Sequence, residues 1–145
     1  MQEVTFALIK PDAVLAGNTG PIIKMIEDNG FEIVRLHKGI IGRELAEQFY
    51  AVHKERPFFG ELVEFISSGP SIVMALRRDD AIKAWRDLMG PTNPADAAEG
   101  TVRKRFGADI EKNATHGSDA PDTAAFELGL FFPDLSEDEL YVSLT

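Results

Sequence analysis

The order of its segments predicts an α+β sandwich of the split βαβ kind for this chain, with helices covering one face of an antiparallel sheet. Three observations carry that reading. Short runs rich in Val, Ile, Phe and Thr recur as strand candidates, segments with apolar residues at three- and four-residue spacing separate them, and Gly or Pro punctuates most junctions.

Val4 to Ile9 predicts a buried strand, which Lys10-Pro11-Asp12 stops. Gly20-Pro21 opens the first helix, with Ile22, Ile23 and Ile26 on one face, and Asn29-Gly30 closes it. From Phe31 to Ile41 a partial alternation predicts a half-buried strand, with Phe31, Ile33 and Arg35 on one side and Val34, Leu36 and Lys38 nearer the other. Arg43 to Val52 is helical through Leu45, Phe49 and Val52, and Pro57 breaks that pattern before it resumes from Gly60 to Ser68. Ser71 to Leu76 is the third strand, and Asp79 is placed to cap a helix reaching Met89. Gly90 to Gly100 is loop with at most a turn of helix. Thr101 caps a short helix through Phe106, Asn113 to Gly117 holds a short final strand, and Ser118 or Asp119 caps a helix from about Pro121 to Phe131.

The length of 145 residues suits one ordinary domain, and 44% hydrophobic content supplies its core. With no cysteine, disulfides and thiolate metal sites are excluded. No basic and apolar leader follows Met1, and no apolar run is long enough to span a bilayer, so the expectation is a cytoplasmic protein. Fifteen basic against 24 acidic residues give a net charge of −9, which disfavours nucleic-acid binding by bulk electrostatics. An anionic ligand must then be gripped locally. Much of the acidity lies in the tail from Pro133 to Glu139, and the reading is a domain at 1–132 with an acidic extension at 133–145 belonging to it.

The chain has no Gly-x-x-x-x-Gly-Lys-Ser/Thr loop, Gly-rich kinase loop or His-Glu zinc pattern. Chemistry must come from scattered residues. His116 stands in Asn113-Ala114-Thr115-His116-Gly117-Ser118-Asp119, too polar a neighbourhood for an ordinary core histidine. It reads either as a surface loop residue or as a nucleophile, since neutral imidazole keeps a lone pair near pH 7 and needs only a partner on its other nitrogen. Glu127 on the next helix is the candidate orienter, with Ser118 to fix Glu127. Lys10 at a strand end, Arg86 and Arg103 on helices, Thr92 in a Pro-Thr-Asn-Pro turn, and Phe58 beside Pro57 each have an ordinary structural reading and a ligand-binding one.

Read together, these positions form a series: Lys-Pro-Asp-Ala-Val at 10–14, His-Lys-Glu-Arg-Pro-Phe-Phe at 53–59, Ser-Gly-Pro at 68–70, Gly-Pro-Thr-Asn-Pro-Ala-Asp at 90–96, Gly-Thr-Val-Arg at 100–103 and Asn-Ala-Thr-His-Gly-Ser-Asp at 113–119. The series resembles the nucleoside diphosphate kinase family, to about Phe132. The resemblance implies a ferredoxin-like core with a four-stranded antiparallel sheet, reversible γ-phosphoryl transfer between nucleoside tri- and diphosphates, a Mg2+ cofactor held mainly through nucleotide phosphates, no membrane association, and a homo-oligomer, tetramer or hexamer. It implies that His116 is phosphorylated, that Ser118 and Glu127 orient it, that Lys10, Arg86, Thr92 and Arg103 grip ribose or phosphates, that Phe58 stacks on the base, that Asn113 bonds the sugar, and that Tyr50 supports the site near Lys10. Phosphoryl transfer needs in-line positioning and neutralisation of oxygen charge, which such residues supply. Two features depart from the family pattern: Lys104-Arg105 directly after Arg103, and the tail from Phe132 to Thr145.

Overall fold

The computed structural model describes residues 2–136 and 140–144; Met1, Glu137, Asp138, Glu139 and Thr145, and with them part of the acidic run, lie outside the described residues. Its sheet has four antiparallel strands in the order β2-β3-β1-β4, from β1 (Gln2–Ile9), β2 (Glu32–Gly39), β3 (Ser71–Asp79) and β4 (Thr115–Gly117). The helices are α1 (Pro11–Leu15), α2 (Thr19–Asp28), α3 (Arg43–Phe49), α4 (Phe59–Ile66), α5 (Ala81–Met89), α6 (Val102–Phe106) and α7 (Pro121–Phe131). None of the described helices is long and apolar enough to cross a membrane.

Helices cover both faces of the sheet, not one as the segment order suggests. The cause is β1 itself, which is apolar at every position from Phe6 to Ile9, so alternate side chains supply two cores. Ala7 and Ile9 meet Ile22 and Ile26 of α2 and Trp85 and Met89 of α5. Phe6 and Leu8 meet Phe49 of α3, Val63 and Ile66 of α4, and Phe132. Trp85 and Phe6 are fully buried, each contributing about 1.5–3 kcal/mol or more by area removed from water. The Phe6 ring stacks on Phe131 at 4.8 Å between centroids, locking α7 over β1.

Several local expectations are corrected. The chain after Ile9 turns at once into α1, because Pro11 sits at a first-turn position where its missing N–H costs nothing. In β2 the pairing with β3 shifts between Ile33 and Arg35, so Arg35 lies opposite Ala75 on the α3/α4 side and the simple alternation fails there. Asp79 ends β3 and does not cap α5. Asp80 occupies the cap position at φ 50°, and the Ile82 N–H is taken by the Glu3 carboxylate of β1 at 2.9 Å. Neither Ser118 nor Asp119 caps α7: Ala120 precedes its first residue, and the Ala120 N–H is accepted by Thr123 Oγ1 at 3.1 Å. Thr101 caps α6 as expected, accepting the Lys104 N–H at 3.2 Å.

The tail returns over β2. Leu135 and Leu140 pack on the second core, and the Arg35 guanidinium donates to the Leu140 carbonyl and lies 3.5 Å from Asp134 Oδ2.

Candidate active site

Antiparallel pairing sets Leu8 of β1 opposite His116 of β4, so His116 faces the same side as Leu8, toward α3 and α7. Its ring lies edge-on to Phe49 at 4.8 Å between centroids. Nε2 of His116 is 3.1 Å from Oε2 and 3.2 Å from Oε1 of Glu127. Ser118 Oγ donates to Glu127 Oε1 at 2.6 Å. Glu127 is only 5% exposed, so this carboxylate is withdrawn from water with two donors facing it. On the other face of the sheet, Trp85 Nε1 donates to the His116 carbonyl at 3.2 Å, fixing the backbone of the same residue.

The end of β1 brings cations to this edge. Lys10 Nζ donates to Asn113 Oδ1 at 2.8 Å, and Asn113 Nδ2 donates to the Thr92 carbonyl at 3.0 Å. Burial, with the neighbouring Arg103 charge, pulls the Lys10 ammonium down from 10.5 to about 8. Arg103 Nη1 donates to the Gly90 carbonyl at 2.8 Å and Nη2 to the Thr115 carbonyl at 2.9 Å. Burial and the Arg86 charge lower Arg103 to about 10. Arg86 is half exposed and pairs with Asp119. Arg103 thus stands between two like charges, bearing on Lys10 and itself lowered by Arg86, and a polyanion would relieve this crowding.

The remaining candidates lie further out. Tyr50 is buried with its ring 4.8 Å from Phe49, and burial raises its phenol, with the Glu127 charge adding to the effect. Among the described residues no hydrogen bond joins Tyr50 to Lys10; Tyr50 reaches the site through Phe49. Phe58 is 42% exposed at the start of α4, with the His53 ring 5.6 Å away. Thr92 is exposed in its turn, tied to the site by its carbonyl. Lys104 and Arg105 are exposed, Arg105 lying over the Phe106 ring at 4.8 Å. Among the described residues, no group of three or more His, Cys, Asp or Glu side chains is arranged to hold a metal ion. A surface groove of about 770 Å3 lies elsewhere, between β2, the end of α7 and the tail.

Sequence reasoning missed three contributors. Phe49 reads as ordinary helical core, Asp119 as a cap when it pairs with Arg86, and Asp12 as a turn residue when its carboxylate accepts the Ala114 N–H at 3.2 Å. The signals for Asp12 were its place two residues after a strand-ending lysine and its inclusion in the Lys-Pro-Asp-Ala-Val series at 10–14.

Residues 3–136 match the family model described as nucleoside diphosphate kinase. The chain belongs to the nucleoside diphosphate kinase family. It is 58% identical over 130 residues to a nucleoside diphosphate kinase of Trichlorobacter lovleyi, covering 90% of this chain and 94% of that one. With the Oleidesulfovibrio alaskensis nucleoside diphosphate kinase it is 54% identical over 132 residues, covering 91% and 95%. Among solved structures, the Aquifex aeolicus nucleoside diphosphate kinase superposes with TM-score 0.89 at 43% identity, over 91% of this chain and 96% of that one. A Halobacterium salinarum nucleoside diphosphate kinase in complex with CDP gives 0.89 at 39% identity, over 100% and 94%. The α+β, ferredoxin-like reading is thereby borne out, and the activity is that of a nucleoside diphosphate kinase, a phosphotransferase acting between nucleotides.

Proposed function

We propose that His116 is the side chain that carries the phosphoryl group between the two nucleotides, and that Nδ1 is the reacting atom. The observation that supports it is the contact of Nε2 with the Glu127 carboxylate, which keeps the Nε2 proton in place and leaves the lone pair on Nδ1. In the first half-reaction Nδ1 forms a bond to the γ-phosphorus as the bond from that phosphorus to the β,γ-bridging oxygen breaks. The electron pair leaves on the nucleoside diphosphate. A second diphosphate attacks the phosphohistidine and reverses these steps, giving ping-pong kinetics.

Lys10, Arg86 and Arg103 meet the charge that spreads over the phosphate oxygens, with the Thr92 hydroxyl as a further donor. Asn113 bonds the sugar beside Lys10, and Phe58 offers its exposed ring to the base, which tolerates any base because each has a π-face. Ser118 and Glu127 orient His116, and Tyr50 buttresses Phe49 behind it. Among the described residues the site presents cations rather than a carboxylate cage, which suits Mg2+ held mainly by nucleotide phosphates and water, where it would neutralise oxygen charge. We further place the protein in the cytoplasm as a homo-oligomer, tetramer or hexamer, without stable nucleic-acid binding.

Incubation with γ-labelled ATP tests the central step. Acid-labile label should appear on the protein and move to an added diphosphate, and His116→Ala should abolish it. Stoichiometric label on that variant would remove His116 from the role.

A further inference from the structure

The backbone just before His116 holds a conformation that an L-residue rarely adopts. Ala114, fully buried, has φ +74°, and the Thr115 N–H closes back on the Asn113 carbonyl at 2.9 Å, making a three-residue γ-turn centred on Ala114. Such a turn carries strain in a residue with a Cβ and persists only where its surroundings over-determine it.

Both polar groups of Ala114 are met from one place. Its carbonyl accepts the Lys10 N–H at 2.8 Å, and its N–H donates to Asp12 Oδ2 at 3.2 Å. Asp12 lies in the first turn of α1, half-buried, two residues beyond the strand end that carries Lys10. Burial pushes the Asp12 carboxyl up, while the Ala114 N–H and the Lys10 charge draw it back down.

The turn is a junction for the whole site. On one side Asn113 reaches Lys10 and the Thr92 carbonyl, and on the other Thr115 gives its carbonyl to Arg103 and leads into His116. A shift of the Ala114 peptide would move all of them together, so the one side chain that holds its N–H is placed to set the geometry of transfer.

We propose that Asp12 is a positioning residue for the phosphoryl transfer, its carboxylate fixing the Ala114 turn that aligns Lys10, Asn113 and His116. This rests on the reading of His116 as the nucleophile. Asp12 acts as a hydrogen-bond acceptor of defined reach and touches no reacting atom. Its work is to keep Ala114 at positive φ, where glycine sits without penalty and alanine does not.

Single-turnover labelling from γ-labelled ATP, with the site of label mapped, tests this in Asp12→Ala, Asp12→Asn, the double variant Asp12→Ala/Ala114→Gly and His116→Ala. Asp12→Ala should slow labelling of His116 by about tenfold or more, as a displaced reacting group does. Asp12→Asn should stay within about threefold of the parent, because its amide oxygen accepts the same N–H. The double variant should regain at least about threefold over Asp12→Ala, since glycine takes φ +74° without the carboxylate. An unchanged Asp12→Ala rate, an Asp12→Asn loss as large as that of alanine, or no recovery in the double variant would each overturn it. If Asp12→Ala fails to fold, a folded and labelling double variant supports the proposal and failure of both overturns it. Label persisting in His116→Ala would overturn the nucleophile reading, whereas label confined to His116 with an unaffected Asp12→Ala rate would overturn the role of Asp12 alone.

Discussion

One ring nitrogen of His116 faces both oxygens of Glu127, Oε2 at 3.1 Å and Oε1 at 3.2 Å, while Ser118 donates to Oε1 at 2.6 Å. Because Glu127 is buried, its hydrogen bond to the ring is little screened by water. Glu127→Gln keeps the shape and removes the charge. We expect the rate of phosphohistidine formation to fall by about tenfold or more, with nucleotide dissociation constants within about threefold of the parent. Rapid-quench kinetics with equilibrium binding checks both, and weakened binding with an unchanged chemical step would make Glu127 a residue of the fold only.

Lys10 gives the site a pH dependence above neutrality. Its folded-state value of about 8 lies below the ordinary 10.5, so between those values the native protein binds fewer protons than the unfolded chain, and stability contributed by this group rises with pH. The cost of holding the charge is fully present below about pH 8, at most roughly 3 kcal/mol. The proposed function runs the other way, since on that reading it is the charged form that meets phosphate. A plot of kcat/KM should bend downward near pH 8, and Lys10→Met should remove that limb. A limb unchanged in Lys10→Met would assign it to another group.

Gly117 ends β4 directly after His116. A Cβ there would lie 2.4 Å from Cδ1 and 2.7 Å from Nε1 of Trp85, which is fully buried and cannot yield as a flexible chain end does. Gly117→Ala should destabilise the protein by about 1–3 kcal/mol, as overpacking does, and displace the strand that carries His116. Thermal melting together with labelling kinetics checks it, and a variant as stable and active as the parent would show that Trp85 has room to move.

Element order was legible in the sequence because strands and helices bury residues at different periods. The second covered face was not, since the unbroken apolar run of β1 fits a strand buried on one side or two. The β2 bulge was hidden because one extra residue leaves composition unchanged while reversing which face Arg35 joins. Glu127 and Ser118 could be assigned because a strand and the helix after it bring residues nine and eleven apart together. The Glu3 cap on α5 joins residues 79 apart, and no local pattern signals it. The strained turn at Ala114 was invisible for a different reason: alanine, unlike glycine, does not mark positive φ.

Arg103, Lys104 and Arg105 place three consecutive cations on α6. On α6 successive side chains rotate by about 100°, so Arg103, Lys104 and Arg105 cannot all face one phosphate. Arg103 alone is drawn inward, its guanidinium held by the carbonyls of Gly90 and Thr115, one of them adjoining His116. Lys104 is exposed, and Arg105 turns back over the Phe106 ring. Arg103→Ala should therefore cost at least about tenfold in kcat/KM, through loss of a charge-assisted contact at the reacting group. Lys104→Ala and Arg105→Ala should each lose less than about threefold, because exposed charges are screened. Arg103→Lys should recover little, since a point charge cannot keep both carbonyls and still fork onto a phosphate. Steady-state kinetics of the four variants at fixed Mg2+ and moderate salt, with oligomer size measured in each, decides the matter. A loss at Arg105 equal to that at Arg103, with assembly unchanged, would mean that the phosphate is held from the other side of α6 and that the inward hydrogen bonds of Arg103 serve only the fold.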